Sequence, residues 1–209
     1  MLADPMTKET PFAPITRRAR LAAGLMALCL ASTAFAAQPS VQPVLLDDFS
    51  DPTRNKHGIE RLLVDDKTAG SQSQATQKCA EGILAIKGEL VPGRGVPAFI
   101  SLVSLLSPGG KPKDMTGYQG VRLRVKVIKG ILCVQVASSE ITNFDFHTGS
   151  PIAGTRTGFQ EIRVPFTDMK RAWSEPMKLN LKSITSINLV SFGMAKDAFS
   201  YEVDEIGFY

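Results

Sequence analysis

Side chains that could do chemistry are few in this sequence and are far apart along the chain. Two histidines, His57 and His147, occur in 209 residues. Neither has a cysteine, an aspartate or a second histidine at the spacing of metal ligands. The patterns of a serine nucleophile elbow, a phosphate-binding loop and a dinucleotide-binding turn do not occur. Because a catalytic centre needs several groups in defined positions, we expect a protein that is not an enzyme.

Two aromatic residues are candidates for ligand binding. Trp173, the only tryptophan, lies in a polar stretch just after a predicted strand. Its ring is a large flat surface with one hydrogen-bond donor, which suits it to stack on a ligand. The alternative is that Trp173 closes the end of the hydrophobic core. Tyr118 lies at a predicted turn and has the same two interpretations.

One long loop region is rich in polar side chains: Asn143, Asp145, His147 and Arg156. Loops at the end of a β-sandwich often carry function. The alternative interpretation is a solvated loop without a role, and the sequence slightly favours it.

The N-terminus has the three parts of a secretory signal peptide. Arg17, Arg18 and Arg20 precede an apolar run from Leu21 to Leu30, and Ala34-Phe35-Ala36 forms a cleavage site. The apolar run is shorter than the roughly 20 residues that a membrane-spanning helix needs. We therefore predict cleavage after residue 36 and a periplasmic or secreted protein, with a Gram-negative source. The general secretory route fits better than the twin-arginine route.

Export affects how the two cysteines of the predicted mature chain, Cys79 and Cys133, are interpreted. An oxidising compartment permits a disulfide between them. The alternative is two buried thiols, since a free cysteine packs like a small hydrophobic residue.

The sequence from residue 44 onward is predicted to consist almost wholly of strands. Residues Val121 to Val127 alternate apolar and basic, which indicates a strand with one buried and one wet face. Phe99, Ser101, Val103 and Leu105 share one face of another predicted strand. Further strands are predicted at Ile83–Ile86, Ile131–Val136, Gln160–Phe166, Ile187–Phe192 and Phe199–Val203. Many short strands with glycine and proline between them predict a β-sandwich or barrel.

The predicted organisation is a signal peptide over residues 1–36, a flexible linker over 37–43 and one β-sandwich domain over 44–209. The polar stretch from Asp66 to Gln77 is a second candidate for a flexible segment. A short helical turn is allowed near Asp168 to Trp173. The net charge is small, +4 over the whole chain. No basic stripe with interleaved aromatic residues occurs, so we expect no nucleic-acid partner.

Several segments together resemble the CIA30 family, the complex I intermediate-associated protein 30 domain. They are Leu46–Phe49, Asp66–Ser73, Asp114–Val125, Phe159–Phe166 and Ser186–Tyr209, the last containing Val203-Asp-Glu-Ile206. The sequence departs from the family pattern at Ala69 and Ser71, where the family has methionine and glycine, and at Phe159, where it has tryptophan.

This resemblance implies a galactose-binding-like jelly-roll β-sandwich. Mitochondrial relatives in the family act as assembly chaperones for respiratory complex I, and related jelly rolls are carbohydrate-binding modules. We therefore expect a non-catalytic binding or assembly module that recognises a protein or glycan partner. The alternative is an accessory to, or a part of, a carbohydrate-active enzyme.

The resemblance also implies where ligands bind. The loop with Asp66, Gly70 and Ser73 matches the family's most distinctive motif, and we expect it at a recognition surface together with Trp173 and Tyr118. We expect no organic cofactor. Jelly rolls of this type often hold a structural calcium where the first and last strands meet, and Asp48 and Asp204 occupy the matching places. Calcium binds several oxygens, and the alternative is that both acids are solvated.

Overall fold

The structure is a computed structural model that describes residues 44–154 and 158–209. The predicted signal peptide, the predicted linker over residues 37–43 and the loop residue Arg156 lie outside the described residues. Cleavage of the leader therefore stays a prediction. Among the described residues, no helix has both the length and the apolar character needed to cross a membrane.

Strands dominate the described part of the chain, and short 3-10 turns connect some of them. The strands are β1 (Val44–Asp47), β2 (Leu62–Asp65), β3 (Gln74–Ala80), β4 (Ile83–Leu90), β5 (Ala98–Leu105), β6 (Gly120–Lys129), β7 (Cys133–Ser138), β8 (His147–Thr148), β9 (Gln160–Pro165), β10 (Ile184–Gly193) and β11 (Asp197–Phe208).

These strands form two antiparallel sheets that pack face to face. The six-stranded sheet has the order β3-β4-β11-β6-β9, with β1 also paired to β11, and the five-stranded sheet has the order β2-β5-β10-β7-β8. The neighbours in each sheet are mostly distant in sequence, as in a jelly roll. The predicted all-β jelly-roll sandwich is confirmed.

Strand β6 illustrates why the sequence forms this sandwich. Its apolar residues Val121, Leu123 and Val125 are fully buried in the core between the sheets. The basic residues between them point to solvent, because successive side chains of a strand point to opposite faces. Arg122 lies 3.0 Å from Glu205 of β11. The outer face of the six-stranded sheet is therefore a charged, solvated surface.

A buried ion pair fixes the connection between β1 and β2. Arg61 donates from Nε to Asp47 at 2.7 Å and from Nη2 to the carbonyls of Asp51 and Arg54. Its guanidinium also lies 4.9 Å from the centre of the Phe49 ring. Burial raises the pKa of Asp47 although Arg61 opposes this shift.

Two local predictions differ from the structure. The stretch from Asp66 to Gln77 is ordered, since it forms a 3-10 turn at Lys67–Ala69 and then enters β3. The short helical turn allowed near Asp168 to Trp173 lies at Phe166–Asp168, so it shares only Asp168 with that stretch, and the chain beyond it is irregular. Lys170 bridges to Thr148 at the edge of the five-stranded sheet, and the chain then bends through residues 172–174, which include Trp173.

Candidate functional site

Two large aromatic side chains stand out from the surface on neighbouring loops. Trp173 is 68% exposed and Phe144 is 76% exposed. Phe144 lies between β7 and β8, and Trp173 lies between β9 and β10. An aromatic side chain that closed the core would be buried. The exposure of Trp173 therefore excludes its core interpretation. We call Trp173 and Phe144 the aromatic edge.

A single buried carboxylate joins the two loops of the aromatic edge. Asp145, which follows Phe144, accepts hydrogen bonds from the backbone N–H groups of Ala172 at 2.8 Å, Trp173 at 3.1 Å and Ser174 at 2.6 Å. Its side chain is 1% exposed. Both aromatic residues are thus attached directly to the same anchoring group, one by sequence and one by a hydrogen bond.

The charge of Asp145 is balanced by Arg171, whose Nε lies 3.7 Å from the carboxylate. Arg171 also donates to the Asp145 carbonyl and to Asn143 Oδ1, so it links the same two loops. Burial acts to raise the pKa of Asp145, but the N–H donors of Ala172 and Ser174 prevail and the pKa lies below its ordinary value of 3.8. The carboxylate is ionised at neutral pH, when it binds these donors most strongly.

Two further polar contacts hold the loops together. The Nε2 atom of the buried His147 lies 2.7 Å from the Met177 carbonyl. The amide of Asn143 donates to the Ser174 hydroxyl at 3.0 Å. Three of the polar residues noted in the long loop, Asn143, Asp145 and His147, therefore fix loop geometry.

The backbone turns Phe144 outward. Its φ of +60° is in the left-handed region, which is uncommon for a residue other than glycine. The turn is supported by the Asp145 N–H, which donates to Asn143 Oδ1 at 3.3 Å. The Phe144 ring then meets the Phe146 ring edge-on, with centroids 6.1 Å apart. Strain of this kind often occurs in loops that have a functional role.

The aromatic edge borders the outer face of the five-stranded sheet. The alternation that buries Ile100 and Leu102 in the core turns Phe99, Ser101 and Val103 outward. These outward residues form one face with Leu105, as the sequence predicts. Over the described residues of the five strands, the outward positions carry no charged side chain. They are Leu62, Val64, Phe99, Ser101, Val103, Leu105, Ser186, Asn188, Val190, Phe192, Cys133, Gln135, Ala137 and Thr148.

One row of this face crosses the whole sheet and ends beside the aromatic edge. From strand to strand, the register places side by side in this row Leu62, Val103, Asn188, Gln135, Thr148 and Lys170. With strands about 4.8 Å apart, the row spans about 24 Å. The row begins with two apolar residues and continues with two amides, a hydroxyl and a lysine. Asn188 is 4% exposed and its Oδ1 accepts from the Ser186 hydroxyl, whereas Gln135 and Thr148 are half-buried. The polar end of the row beside the aromatic edge therefore suits a ligand with hydroxyl groups.

The predicted recognition loop at Asp66 has a different role. The Asp66 carboxylate is fully buried and accepts hydrogen bonds from the Ser73 hydroxyl at 2.5 Å, the Ser73 N–H at 3.0 Å and the Phe99 N–H at 2.8 Å. Ser73 is also fully buried. Gly70 has a φ of +93° and ends the 3-10 turn. Asp66 and Ser73 thus hold the loop against β5 and are buried, and their contact with a ligand stays a prediction.

Tyr118 and the predicted calcium ligands also have partners of their own. Tyr118 is half-buried and packs on Phe208 with ring centroids 5.3 Å apart. Asp48 accepts from Lys56 at 2.8 Å, which with Ser50 lowers its pKa to about 2. Asp204 pairs with Arg124. Within the described residues, no group of three acidic, histidine or cysteine side chains could hold a metal ion.

The cysteines do not form the disulfide that was one expectation. Both are free: Cys79 lies in β3 of one sheet, and Cys133 lies in β7 of the other. The Cys79 thiol is half-buried and donates to the Phe49 carbonyl at 3.4 Å. Cys133 is fully buried, and burial raises the pKa of its thiol to about 11.

Sequence reasoning missed Phe144. It counted the polar residues of the loop and passed over the aromatic residue between Asn143 and Asp145. A usable signal was present, since a phenylalanine in a loop of polar residues has no strand alternation to bury it.

No protein-family model matches the chain, and no curated protein sequence matches it. Solved structures with a similar fold do exist. The family 11 carbohydrate-binding module of the cellulase Lic26A-Cel5E from Clostridium thermocellum superposes with a TM-score of 0.60 at 16% identity, covering 81% of this chain and 95% of the module. A family 11 module from the same organism, in complex with a β-1,3-1,4-mixed-linked tetrasaccharide, gives a TM-score of 0.58 at 15% identity over 79% and 94% of the two chains.

A third similar structure is the agarase AgWH50C, with a TM-score of 0.51 at 11% identity. The match covers 79% of this chain but 24% of the agarase. At these identities the likeness establishes the jelly-roll fold.

Proposed function

We propose that this protein is an exported, non-catalytic binding module that recognises a glycan. The observation that carries the proposal is the aromatic edge. Trp173 and Phe144 are exposed, yet a buried carboxylate and its arginine partner hold their backbone in place. A rigid exposed aromatic ring provides a flat apolar surface on which the apolar face of a sugar can stack.

The uncharged outer face of the five-stranded sheet supports a neutral, extended glycan chain. A chain stacked on the aromatic edge would continue along the row past Lys170, Thr148 and Gln135. The Thr148 hydroxyl and the Gln135 amide, both half-buried, offer donors and acceptors to sugar hydroxyls. The fold likeness to carbohydrate-binding modules, one of them in complex with a tetrasaccharide, agrees with this assignment.

A protein partner is the second expectation of the sequence, and the CIA30 resemblance is its source. The jelly-roll fold agrees with that resemblance, which stays a proposal. The exposed apolar residues at the aromatic edge are few and are mixed with polar groups. A large contiguous apolar patch would mark a protein interface, and the aromatic edge is not one, so we favour the glycan.

The test is affinity electrophoresis of the mature domain in gels that contain neutral polysaccharides, with mixed-linkage β-glucan and agarose among them. We expect at least one polysaccharide to retard the protein. Trp173→Ala should reduce its affinity by about 1–3 kcal/mol, which is usual for an aromatic anchor. Phe144→Ala should reduce it in the same direction.

The matched control is Met194→Ala, because Met194 is 70% exposed but lies in the turn between β10 and β11. This variant should migrate like the wild type. Absence of retardation across the panel, together with specific capture of a protein by the same domain, would overturn the proposal in favour of a protein partner.

A further inference from the structure

The six-stranded sheet has a depression of about 520 Å³ on its outer face, on the sheet opposite the one beside the aromatic edge. It lies where β3, β4, β11 and the end of β6 meet. The residues that line it include Thr76, Lys87, Glu89, Lys129, Ala198 and Ser200. The volume is in the range of small-molecule sites and far exceeds that of a single inorganic ion.

The strand register explains the shape of the depression. Lys87 of β4 lies opposite Thr76 of β3 on one side and Ser200 of β11 on the other, and Ser200 lies opposite Lys129 of β6. Small outward residues on β11, Ser200 and Ala198, form the floor. The longer side chains of the flanking strands form the walls, so the Ser200 hydroxyl lies between two lysines and the Ala198 methyl lies beside Glu89.

Charge distinguishes this depression from the rest of the outer face. Along β6 the other basic side chains are paired, and Lys126, for example, lies 3.2 Å from Glu202. The one acid in the depression, Glu89, is paired with Lys196 at 3.1 Å. Lys87 and Lys129 form no ion pair within the described residues. Their Cα atoms are two strands apart, about 10 Å, so their ammonium groups can approach one bound anion from two sides.

The turn after β6, which crosses to the other sheet, fixes the position of Lys129. Gly130 has a φ of +74°, and a Cβ atom there would lie 3.1 Å from the Phe199 side chain. The turn therefore packs tightly on β11, and a larger residue would displace it. Lys129 is placed over the depression by backbone packing, not by a flexible loop.

We propose that this depression is a second binding site and that it takes the acidic group of an anionic saccharide. The carboxylate or sulfate oxygens would lie between the ammonium groups of Lys87 and Lys129. The hydroxyls of Thr76 and Ser200 and the Ala198 methyl would contact the sugar itself. Pairing with an anion relieves the repulsion between two unpaired lysines. Hydrogen bonds between charged groups are also stronger than those between neutral groups.

The experiment measures binding of the mature domain by isothermal titration at low salt to three probes: an oligogalacturonate, a sulfated oligosaccharide and a neutral oligosaccharide of equal length. We expect binding of the carboxylate probe, the sulfate probe or both, and the two probes tell the acidic groups apart. Lys87→Gln and Lys129→Gln should each weaken this binding about fivefold to tenfold. The double variant should show none, and added salt should weaken the wild type.

Lys111→Gln is the control, because Lys111 is exposed and without an ion pair among the described residues, but lies outside the depression. It should bind like the wild type. Equal loss in Lys111→Gln would indicate unspecific charge attraction and would overturn the proposal, as would binding of neither acidic probe. Trp173→Ala should retain acidic binding. If it loses that binding, the acidic saccharide occupies the aromatic edge and the second site does not exist, whereas the proposed function stands.

Discussion

Replacing Asp145 with alanine tests whether one buried carboxylate organises the aromatic edge. The change removes the acceptor of three backbone N–H groups and leaves Arg171, whose side chain is 8% exposed, without its counter-charge. A buried donor without a partner costs about 1–3 kcal/mol, and breaking a buried ion pair costs about 3–5 kcal/mol. Because the loops can relax toward water, we expect a loss near the latter range and not the sum of both.

For a domain of this size, each kcal/mol lowers the melting temperature by about 2–4 °C. We therefore expect Asp145→Ala to melt about 10 °C below the wild type, and Asp145→Asn, which keeps one oxygen, to lose less. The control is Asp168→Ala, since Asp168 is an exposed acid on the same connection. Thermal unfolding followed by circular dichroism measures all three. A loss below about 1 kcal/mol for Asp145→Ala would refute the anchoring role.

The pH dependence of Asp145 gives an independent check. Its pKa is lower in the folded than in the unfolded protein, so the carboxylate stabilises the fold fully at pH values above its ordinary pKa of 3.8. This stabilisation disappears as the pH falls through the lowered pKa. The stability difference between wild type and Asp145→Asn should therefore be constant near neutral pH and shrink below about pH 4.

Three further predictions concern groups away from the aromatic edge. Asp66→Ala should lower the free energy of unfolding by about 2–4 kcal/mol, as three hydrogen bonds to a buried carboxylate are lost, while glycan retention of the folded fraction stays unchanged; weaker retention at full stability would restore a recognition role. Arg61→Met should lower the free energy of unfolding, measured by chemical denaturation, by about 3–5 kcal/mol, because Asp47 stays buried without its partner. An unchanged free energy of unfolding would contradict this. Thiol titration of the denatured, unreduced mature protein should count both Cys79 and Cys133, and Cys133 should be inert in the native state; a single or absent thiol would contradict the free cysteines.

The sequence determines most of the fold because strand alternation is a local signal. The regular alternation of Val121 to Val127 corresponds to β6, and Phe99, Val103 and Leu105 do lie on one face of β5. The same pattern does not say which face meets the core. Those three residues point outward, whereas Ala98, Ile100 and Leu102 of the same strand fill the core.

The candidate site was only partly predictable, because burial of loop residues depends on distant partners. The sequence does not show that Asp66 and Asp145 are buried. Asp66 accepts from the Phe99 N–H, 33 residues away, and Asp145 from the Ala172 N–H, 27 residues away. Trp173 is exposed, as ligand contact requires, and that contact stays a prediction. Its neighbour Phe144 could not be paired with it, since 29 positions separate them and a single carboxylate brings them together.

The most direct test of the glycan-binding proposal uses Trp173 itself, because it is the only tryptophan of the chain and all tryptophan emission comes from it. The free protein should emit like an exposed indole and be quenched readily by acrylamide, as its 68% exposure requires. Titration with the retained polysaccharide should shift the emission to shorter wavelength and protect it from the quencher in a saturable way. An unchanged spectrum at saturating polysaccharide would contradict the account, because the glycan would then bind away from the aromatic edge.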